Sequence, residues 1–290
     1  MIGSDRTVRS SRPACDPSVE AACAWLREQG VELPVGTIVF GSGWAPLAER
    51  VEVVGRWPYT CVPGLPPTSV RGHPGEVVWG TWRGVPCLIF VGRWHVYEGR
   101  TPAEVALPGT VAAALGCQWM LSTNAAGGIA PRLRVGQLVA ITDDLGIWSG
   151  YGVLPGPALR HPRERPPGPV YSPELRAALS EASREANVHV EEGILAMMPG
   201  PNYETAAEIG MLRTAGASLV SMSTVPEARC ARLFGVEVAA LSCVTNLAPA
   251  RPGTPLAHED VLATLEATWS DAERLIETWL EHPRVRRGSR

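Results

Sequence analysis

Short apolar runs alternate with longer helical patterns along most of the chain. A run of β-branched and aromatic residues that ends in glycine predicts a buried strand, as in VGTIVFGSG at 35–43. The same pattern predicts further strands at Glu76–Trp82, Val85–Val91, Gln118–Thr123, Gln137–Thr142, Ile194–Met198, Ser218–Met222 and Val236–Val244. Strands that alternate with helices are typical of an α/β domain with a sheet covered by helices on both faces.

Capping residues mark where several helices begin. Asp16 followed by Pro17 is a typical helix N-terminus, and Gly30 ends the helix that they begin. Thr101 and Glu104 have the spacing of a capping box. We therefore predict helices from Asp16 to Gly30, from Thr101 to near Gly116, from Ser172 onwards, and from His258 to about Glu281.

The chain is expected to form one catalytic domain over residues 16–282. We expect residues 1–15 to be a disordered N-terminal arm and residues 283–290 to be a disordered basic tail. Two segments rich in proline and glycine, 60–75 and 146–170, are predicted to be loops. Loops of that length within a compact domain usually serve a function.

The charge balance gives no reason to expect a nucleic-acid or membrane partner. The 26 basic and 29 acidic side chains give a formal net charge of -3, so any anion must be bound locally. Every basic residue is arginine, because the sequence contains no lysine. The absence of lysine excludes a phosphate-binding Walker A lysine, a Schiff base and a lysine general base.

The cysteine pattern indicates a reducing compartment. The seven cysteines are scattered and have no C-x-x-C spacing, so we expect neither a disulfide framework nor a zinc site. The first residues lack the apolar stretch of a leader, and no apolar run of about 18 residues occurs elsewhere. We expect a cytoplasmic protein.

Gly41, Ser42 and Gly43 form a small loop after the first strand. Such a loop offers backbone N–H groups and a hydroxyl to an anion, but an isolated G-S-G is as often only a tight turn. Pro46 stands where a dinucleotide fingerprint has its third glycine, so this fingerprint is excluded.

Arg93, His95 and Tyr97 follow a predicted apolar strand. If the strand continued, the period of two would place a cation, an imidazole and a phenol on one side. Each residue taken alone fits a polar strand end that is hydrogen-bonded to its neighbours. The three together favour a binding site.

Several other predicted strands also end in polar or small residues. Small residues let backbone amides approach a ligand, and an aromatic residue beside a carboxylate can bind a polar ring. The carboxylate of Glu204 could instead stabilise the N-terminus of the following helix. The segments with this pattern are 122–128 (STNAAGG), 200–205 (GPNYET), 221–227 (SMSTVPE) and 243–246 (CVTN).

These segments resemble the trimeric purine nucleoside phosphorylase family, most closely its 6-oxopurine-specific bacterial members. The motifs stand in the family's order from about Ile38 to His258. The resemblance implies an α/β fold of the nucleoside phosphorylase type, with one domain and a mixed, twisted central sheet covered by helices on both faces. The motifs are GSGWAPLAE, RGHPGEVVWG, VGRWHVYEGR, STNAAGGIAPRLRVG, GPNYETAAEIGMLR, SMSTVPEA and CVTNLAPA.

The resemblance also implies an activity. It is the reversible phosphorolysis of 6-oxopurine (deoxy)ribonucleosides, such as inosine and guanosine, to free base and (deoxy)ribose 1-phosphate. Inorganic phosphate is the co-substrate, and neither a cofactor nor a metal ion is expected. The partners implied are the purine nucleoside, phosphate and further copies of the chain in a homotrimer.

Site residues carry over by motif in three groups. The implied phosphate ligands are Ser42, His73, Arg93, His95, the backbone of Ala125, and Ser223. The implied purine contacts are Tyr203, Glu204, Val220, Met222 and Asn246. The implied ribose contacts are Tyr97, Met222 and His258, although His258 could equally cap a helix. Asn246, Glu204 and His95 are the implied catalytic residues, with Glu98 orienting His95.

The chemistry gives these assignments a reason. The purine becomes anionic at N7 as the glycosidic bond breaks, so an amide that donates there binds the transition state better than the substrate. Asn246 is assigned this donor, and Glu204 is assigned to accept from N1–H. Related methylthioadenosine phosphorylases have an aspartate in that region for a 6-amino group, so Asn246 indicates a 6-oxopurine preference.

Four features depart from the family pattern. Ser221 replaces a usual glycine, the run at 143–146 (DDLG) replaces Asp-His-Ile-Asn, Arg229 and Cys230 interrupt an aliphatic stretch, and the 146–170 loop lacks a phenylalanine found in some members. Two alternatives therefore stay open. One is a phosphorylase for a modified purine nucleoside in a specialised pathway, and the other is a non-catalytic nucleoside-binding homologue. A hydrolase is a third possibility.

Overall fold

A computed structural model describes residues 16–70, 72–146, 168–248 and 258–287. The sequence prediction for the arm at 1–15 lies outside the described residues, as do most of the 146–170 loop and residues 288–290. The helices are α1 Pro17–Glu28, α2 Pro102–Val105, α3 Leu107–Leu115, α4 Pro173–Glu185, α5 Ala206–Thr214, α6 Val225–Leu233, α7 His258–Glu281 and α8 Pro283–Arg287. The strands are β1 Gly36–Phe40, β2 Glu52–Pro58, β3 Glu76–Trp82, β4 Val85–Val91, β5 Trp119–Gly128, β6 Leu138–Leu145, β7 Val190–Met197, β8 Leu219–Ser221 and β9 Glu237–Leu247.

The strands form one mixed sheet in the order β2-β3-β4-β1-β5-β8-β7-β6-β9, and β5 also pairs with β9. The strands β5, β8, β7, β6 and β9 therefore close into a ring, from which β1 to β4 extend as an open sheet. The pairs β5–β9 and β6–β7 are parallel, whereas β5–β8 and β6–β9 are antiparallel. The expected mixed α/β sheet in a single domain is confirmed.

Helices cover the sheet on both sides. One core cluster joins the sheet to α1, α3 and α6, a second joins it to α4, α7 and α8, and a smaller third joins it to α5. Leu26, Val111 and Ala231 represent the first cluster, while Leu179 and Ile276 represent the second. Strands buried on both faces explain why their sequences are continuous apolar runs rather than alternating ones.

The helix starts follow the sequence signals. The Asp16 side chain accepts a hydrogen bond from Ser18 N at 2.8 Å, and Thr101 and Glu104 cap each other reciprocally. The predicted helix from Thr101 to Gly116 is divided at Ala106 into α2 and α3. The reason is local, because Pro108 has no N–H and restricts the residue before it.

Strand lengths differ from the predictions where the ring closes. β3 and β4 have the predicted ends, but β5 continues to Gly128 and β9 to Leu247. These extensions pair with each other, so polar residues expected after the strands lie inside them. β2 was not predicted, because its residues are exposed or half-buried at the sheet edge and form no apolar run.

The prediction of a disordered tail is wrong for residues 283–287, which form α8. Val285 is fully buried, and its carbonyl accepts a hydrogen bond of 2.9 Å from Trp119 Nε1. Trp119 also packs edge-to-face on Trp279 at 5.0 Å. α8 was not predicted from the sequence because the segment is mostly basic and Val285 is the one side chain in it that anchors the helix in the core.

Among the described residues, no helix is long and apolar enough to cross a membrane.

Candidate active site

A cavity of about 350 Å³ lies where the ends of β5, β8 and β9 meet. Predicted residues from all three groups line this one cavity. Two predicted residues whose side chains the structure describes, His73 and Arg93, are not among the lining residues. The lining predicted residues are Ser42, His95, Tyr97, Ala125, Tyr203, Glu204, Val220, Met222, Ser223 and Asn246.

Ser42 lines one side of the cavity, and His73 lies behind it. Ser42 lies after β1, and its Oγ is 2.9 Å from His73 Nε2. Burial is the main cause that lowers the pKa of His73 to about 3, and the nearby His95 contributes in the same direction. His73 is therefore neutral at physiological pH and supports the Ser42 hydroxyl from behind.

His95 is held by Glu98. The Glu98 Oε1 atom accepts from His95 N at 2.8 Å and lies 2.9 Å from His95 Nδ1. Burial raises the pKa of Glu98, but hydrogen bonds from His95 and Ser69 outweigh it and lower the pKa to about 2. A carboxylate at Nδ1 places the ring proton there and leaves Nε2 as an acceptor. Burial also lowers the pKa of His95, so the ring is neutral.

Arg93, His95 and Tyr97 lie beyond the end of the strand, so the alternation considered for them on a strand does not apply. β4 ends at Val91, and Val96–Glu98 form a 3₁₀ turn. His95 and Tyr97 still meet, because their rings stack with centroids 4.8 Å apart. The contact arises from the turn rather than from the alternation of a strand.

Arg93 is fully buried behind the cavity instead of lining it. Its Nη1 donates to Ser223 Oγ at 2.9 Å and to Thr224 Oγ1 at 2.8 Å. Its Nη2 donates to the carbonyl oxygen of Thr123 and lies 3.4 Å from Glu227 Oε1. Both Nη groups are thus bonded within the protein and are not presented to the cavity, whereas the phosphate ligand that the resemblance implies would be expected to present them.

Asn246 lies on β9 opposite Gly127 of β5. Thr245 Oγ1 donates to Asn246 Oδ1 at 3.2 Å, which leaves the Nδ2 group as the donor of this amide. A Cβ at Gly127 would lie 3.2 Å from Val220 Cγ1 and 3.3 Å from Asn246 Nδ2. The glycine therefore keeps the floor of the cavity open beside the amide.

Tyr203 and Glu204 come from the loop before α5. The Thr205–Glu208 capping box starts this helix, so Glu204 is not needed as its cap. Burial raises the pKa of Glu204, as expected for a carboxylate that faces a partly enclosed cavity. Tyr203 is half exposed at the rim.

Gly200 brings the same loop close to Met222 and Tyr97. A Cβ at this position would lie 2.5 Å from Met222 Sδ and 2.8 Å from Tyr97 Cδ1. Its φ of +68° also favours glycine. Tyr97 and Met222, both predicted ribose contacts, thus face one another across this loop. His258 begins α7, but its side chain lies outside the described part of the structure.

Comparison with known proteins identifies the family. A protein-family model described as the phosphorylase superfamily matches residues 37–281 of this chain. The purine nucleoside phosphorylase of Mycobacterium tuberculosis is 41% identical over 230 residues, which cover 78% of this chain and 81% of that protein. This chain belongs to the purine nucleoside phosphorylase family. The resemblance stated from the motifs is confirmed.

Further relatives extend the match in both sequence and structure. Purine nucleoside phosphorylase 1 of Geobacillus stearothermophilus is 34% identical over 260 residues, covering 89% of this chain and 95% of that protein. A crystal structure of a schistosoma purine nucleoside phosphorylase in complex with hypoxanthine superposes with a TM-score of 0.83 at 32% identity. It covers 91% of this chain and 96% of that one.

Some lining residues were not assigned from the sequence. Asn124 and Thr245 stand within the quoted motifs, and their position beside assigned residues was the available signal. Ser221 was noted only as a departure from the family, and its Oγ lies 3.4 Å from Ser223 Oγ. Val70 and Val261 also line the cavity, and no pattern in the sequence distinguishes them.

Asp144 and Arg229, which both stand at positions that depart from the family pattern, form an ion pair with each other. Arg229 Nε donates to Asp144 Oδ1 at 2.9 Å, and Asp144 is buried. Burial raises the pKa of Asp144, while the Arg229 charge acts in the opposite direction. The two departures, an acidic residue in β6 and a basic residue in α6, are therefore paired in this phosphorylase.

Potential metal ligands do not cluster in the part of the chain that the structure describes. No group of three or more histidine, cysteine, aspartate or glutamate side chains there is arranged to hold an ion.

Proposed function

We propose that this protein is a purine nucleoside phosphorylase that acts on 6-oxopurine (deoxy)ribonucleosides such as inosine and guanosine. One observation carries the proposal. The Asn246 amide, oriented by Thr245, lines the same cavity as Glu204 and as the hydroxyls of Ser42 and Ser223. A purine site and an oxyanion site thus share one cleft.

Phosphate binding is assigned to Ser42, Ser223, the Ala125 backbone and His95. The hydroxyl and N–H groups donate to the oxygens of the dianion in this partly buried site, and the neutral His95 accepts through Nε2 from the remaining hydroxyl of hydrogen phosphate. Arg93 contributes its positive charge from behind Ser223 and fixes that residue. His73 contributes through Ser42.

Reaction follows from the position of these groups around the substrate. A phosphate oxygen attacks the anomeric carbon, the glycosidic bond breaks, and its electron pair moves into the purine. Asn246 Nδ2 donates to the developing charge at N7, so its hydrogen bond strengthens along the reaction. Glu204 accepts from N1–H and holds the base, while Tyr97 and Met222 hold the sugar.

The 6-oxopurine preference rests on the direction of the hydrogen bond at Asn246. Thr245 Oγ1 donates to the amide oxygen at 3.2 Å, and this contact orients the NH2 group of Asn246 as the donor to the base. A 6-oxo group accepts such a bond, whereas a 6-amino group offers a second donor and leaves both unpaired. Unpaired donors in a binding site make discrimination strong.

A panel of nucleosides tests the proposal. Inosine, guanosine and adenosine are incubated with and without phosphate, and free base and sugar 1-phosphate are quantified. We expect phosphate-dependent release of hypoxanthine and guanine and little release of adenine. Release of base without phosphate indicates a hydrolase, and retention of intact nucleoside indicates a binding protein; either result refutes the proposal. A clear preference for adenosine refutes the specificity alone.

We also propose that phosphate is the co-substrate, that no further cofactor takes part, and that the protein acts in the cytoplasm. The homotrimer implied by the motifs stays a prediction, which light scattering of the purified protein checks.

A further inference from the structure

The connection between β8 and α6 contains a residue with an unusual backbone. Thr224 has φ 76° and ψ −53°, a conformation that a β-branched residue rarely adopts. Val225 N donates to Ser223 O at 2.9 Å, so residues 223–225 form a γ-turn of the strained, positive-φ type. Strain of this kind persists only where the surroundings enforce it, and it is concentrated at functional sites.

The Thr224 side chain does not cap α6, although the residue stands at the N-cap position. It is the N-cap of α6, where a threonine hydroxyl normally accepts from the backbone of the first turn. Its side chain makes no such bond. Instead its Oγ1 accepts from Arg93 Nη1 at 2.8 Å and from Asn124 Nδ2 at 2.8 Å.

These two short bonds use both acceptor positions of the hydroxyl in a buried location, and Ser122 Oγ lies farther from the same oxygen, at 3.4 Å. Arg93 is held in turn by Glu227, whose Oε1 lies 3.4 Å from Nη2 and accepts from Ser122 Oγ at 2.6 Å. The end of β5 and the start of α6 are therefore tied to the segment after β4 through one oxygen atom of Thr224.

Ser223 is the residue that this arrangement controls. It precedes Thr224 in the γ-turn, lines the cavity, and receives a bond of 2.9 Å from the same Arg93 Nη1 group. We propose that Thr224 is a positioning residue: its hydroxyl, bound by Arg93 and Asn124, holds the strained turn that directs Ser223 to the phosphate. The inference rests on the proposed function in so far as Ser223 is a phosphate ligand.

Substitutions at Thr224 separate the hydroxyl from the shape of the side chain. Thr224→Val keeps the volume and the branching but removes the acceptor. Thr224→Ser keeps the acceptor. Thr224→Gly removes the acceptor and adopts positive φ without strain, so it folds even if the valine variant does not.

Thr37→Val is the matched control. Thr37 is a fully buried threonine of β1 whose hydroxyl makes one bond of 2.7 Å to Leu88 O, outside the cavity. The control loses a buried hydrogen bond of similar kind, so it reports what a purely structural loss does to the kinetics.

The experiment measures KM for phosphate and KM for inosine in each variant, together with the stabilisation of the nucleoside-free protein by inorganic phosphate in thermal unfolding. For Thr224→Val and Thr224→Gly we expect KM for phosphate to rise about tenfold or more, since two buried donors lose their acceptor. KM for inosine stays within about twofold of the wild type in every variant. KM for phosphate also stays within about twofold in Thr224→Ser and Thr37→Val. Stabilisation by phosphate declines in Thr224→Val and Thr224→Gly.

The outcomes distinguish this inference from the proposed function. If Thr224→Val and Thr224→Gly keep the wild-type KM for phosphate, or if Thr37→Val raises it equally, the inference is wrong although the enzyme is a phosphorylase. If the wild type cleaves no nucleoside but is stabilised by phosphate, and this stabilisation is lost only without the Thr224 acceptor, the inference stands and the proposed function fails. A wild type that phosphate does not stabilise overturns the inference.

Discussion

The buried pair of Arg93 and Glu227 provides a quantitative test of the structure. We consider Arg93→Met, which removes every N–H group and leaves the Glu227 carboxylate with Ser122 as its only hydrogen-bond donor among the described contacts. Burial raises the pKa of Glu227, while Arg93 lowers it, so the charge becomes costly once its partner is gone. Both side chains are almost fully excluded from solvent.

The magnitude follows from distance and environment. At 3.4 Å the Coulomb attraction is roughly 5 kcal/mol with an effective dielectric constant near 20. The cost of desolvating both charges offsets much of this attraction, but removing one partner still costs about 3–5 kcal/mol in buried pairs. Arg83 and Glu277 are closer, at 2.6 Å, but Arg83 is 49% exposed. Solvent screening limits such a pair to about 1 kcal/mol or less.

The assay is equilibrium unfolding in urea at one protein concentration, followed by tryptophan fluorescence. We expect Arg93→Met to lower the free energy of unfolding by about 3–5 kcal/mol and the matched control Arg83→Met by about 1 kcal/mol or less. Glu227→Gln added to Arg93→Met recovers part of the loss, because it removes the unpaired charge. If Arg93→Met costs no more than Arg83→Met, the buried network is not present as described.

Three further predictions concern the site. Asn246→Ala lowers kcat for inosine about 10²–10³-fold, by analogy with the loss of an oxyanion donor, and a decline of less than tenfold contradicts the assigned role. Gly200→Ala lowers the free energy of unfolding by about 1–2 kcal/mol through its positive φ and raises KM for inosine through contact with Met222 and Tyr97; an unchanged KM argues against the described loop. Burial lowers the pKa of His73 to about 3 in the folded protein, whereas a histidine in the unfolded chain has a pKa near 6.5. As pH falls, the unfolded chain therefore binds this proton at a higher pH than the folded protein does. The free energy of unfolding should thus decrease as pH falls from about 6.5 to about 5, and His73→Asn should flatten this dependence in denaturation measured across that range.

Local signals in the sequence were sufficient for much of the fold. β3 and β4 were predicted with the ends that the structure has, because each is a buried apolar run bounded by glycine or a turn. α1 and α4 begin at their predicted caps. Such signals depend only on neighbouring residues, so they do not require knowledge of the tertiary structure.

Features that depend on distant residues were not predictable in the same way. The ring closure that lengthens β5 and β9 depends on pairing between strands more than 100 residues apart. The burial of Arg93 depends on Glu227, and the ordered end of the chain depends on Trp119. Each of these partners is far along the sequence from the residue that it holds in place. Composition and periodicity therefore could not predict the contact.

Four consecutive residues of β5 take part in both halves of the cleft. All four line the cavity, from Asn124 and Ala125 to Ala126 and Gly127 beside Asn246. Under the proposed function, the first two face the phosphate and the last two face the purine, so the groups on either side of the sugar share one continuous strand that also pairs with β9. A change in the register of this strand would therefore disturb both binding sites together.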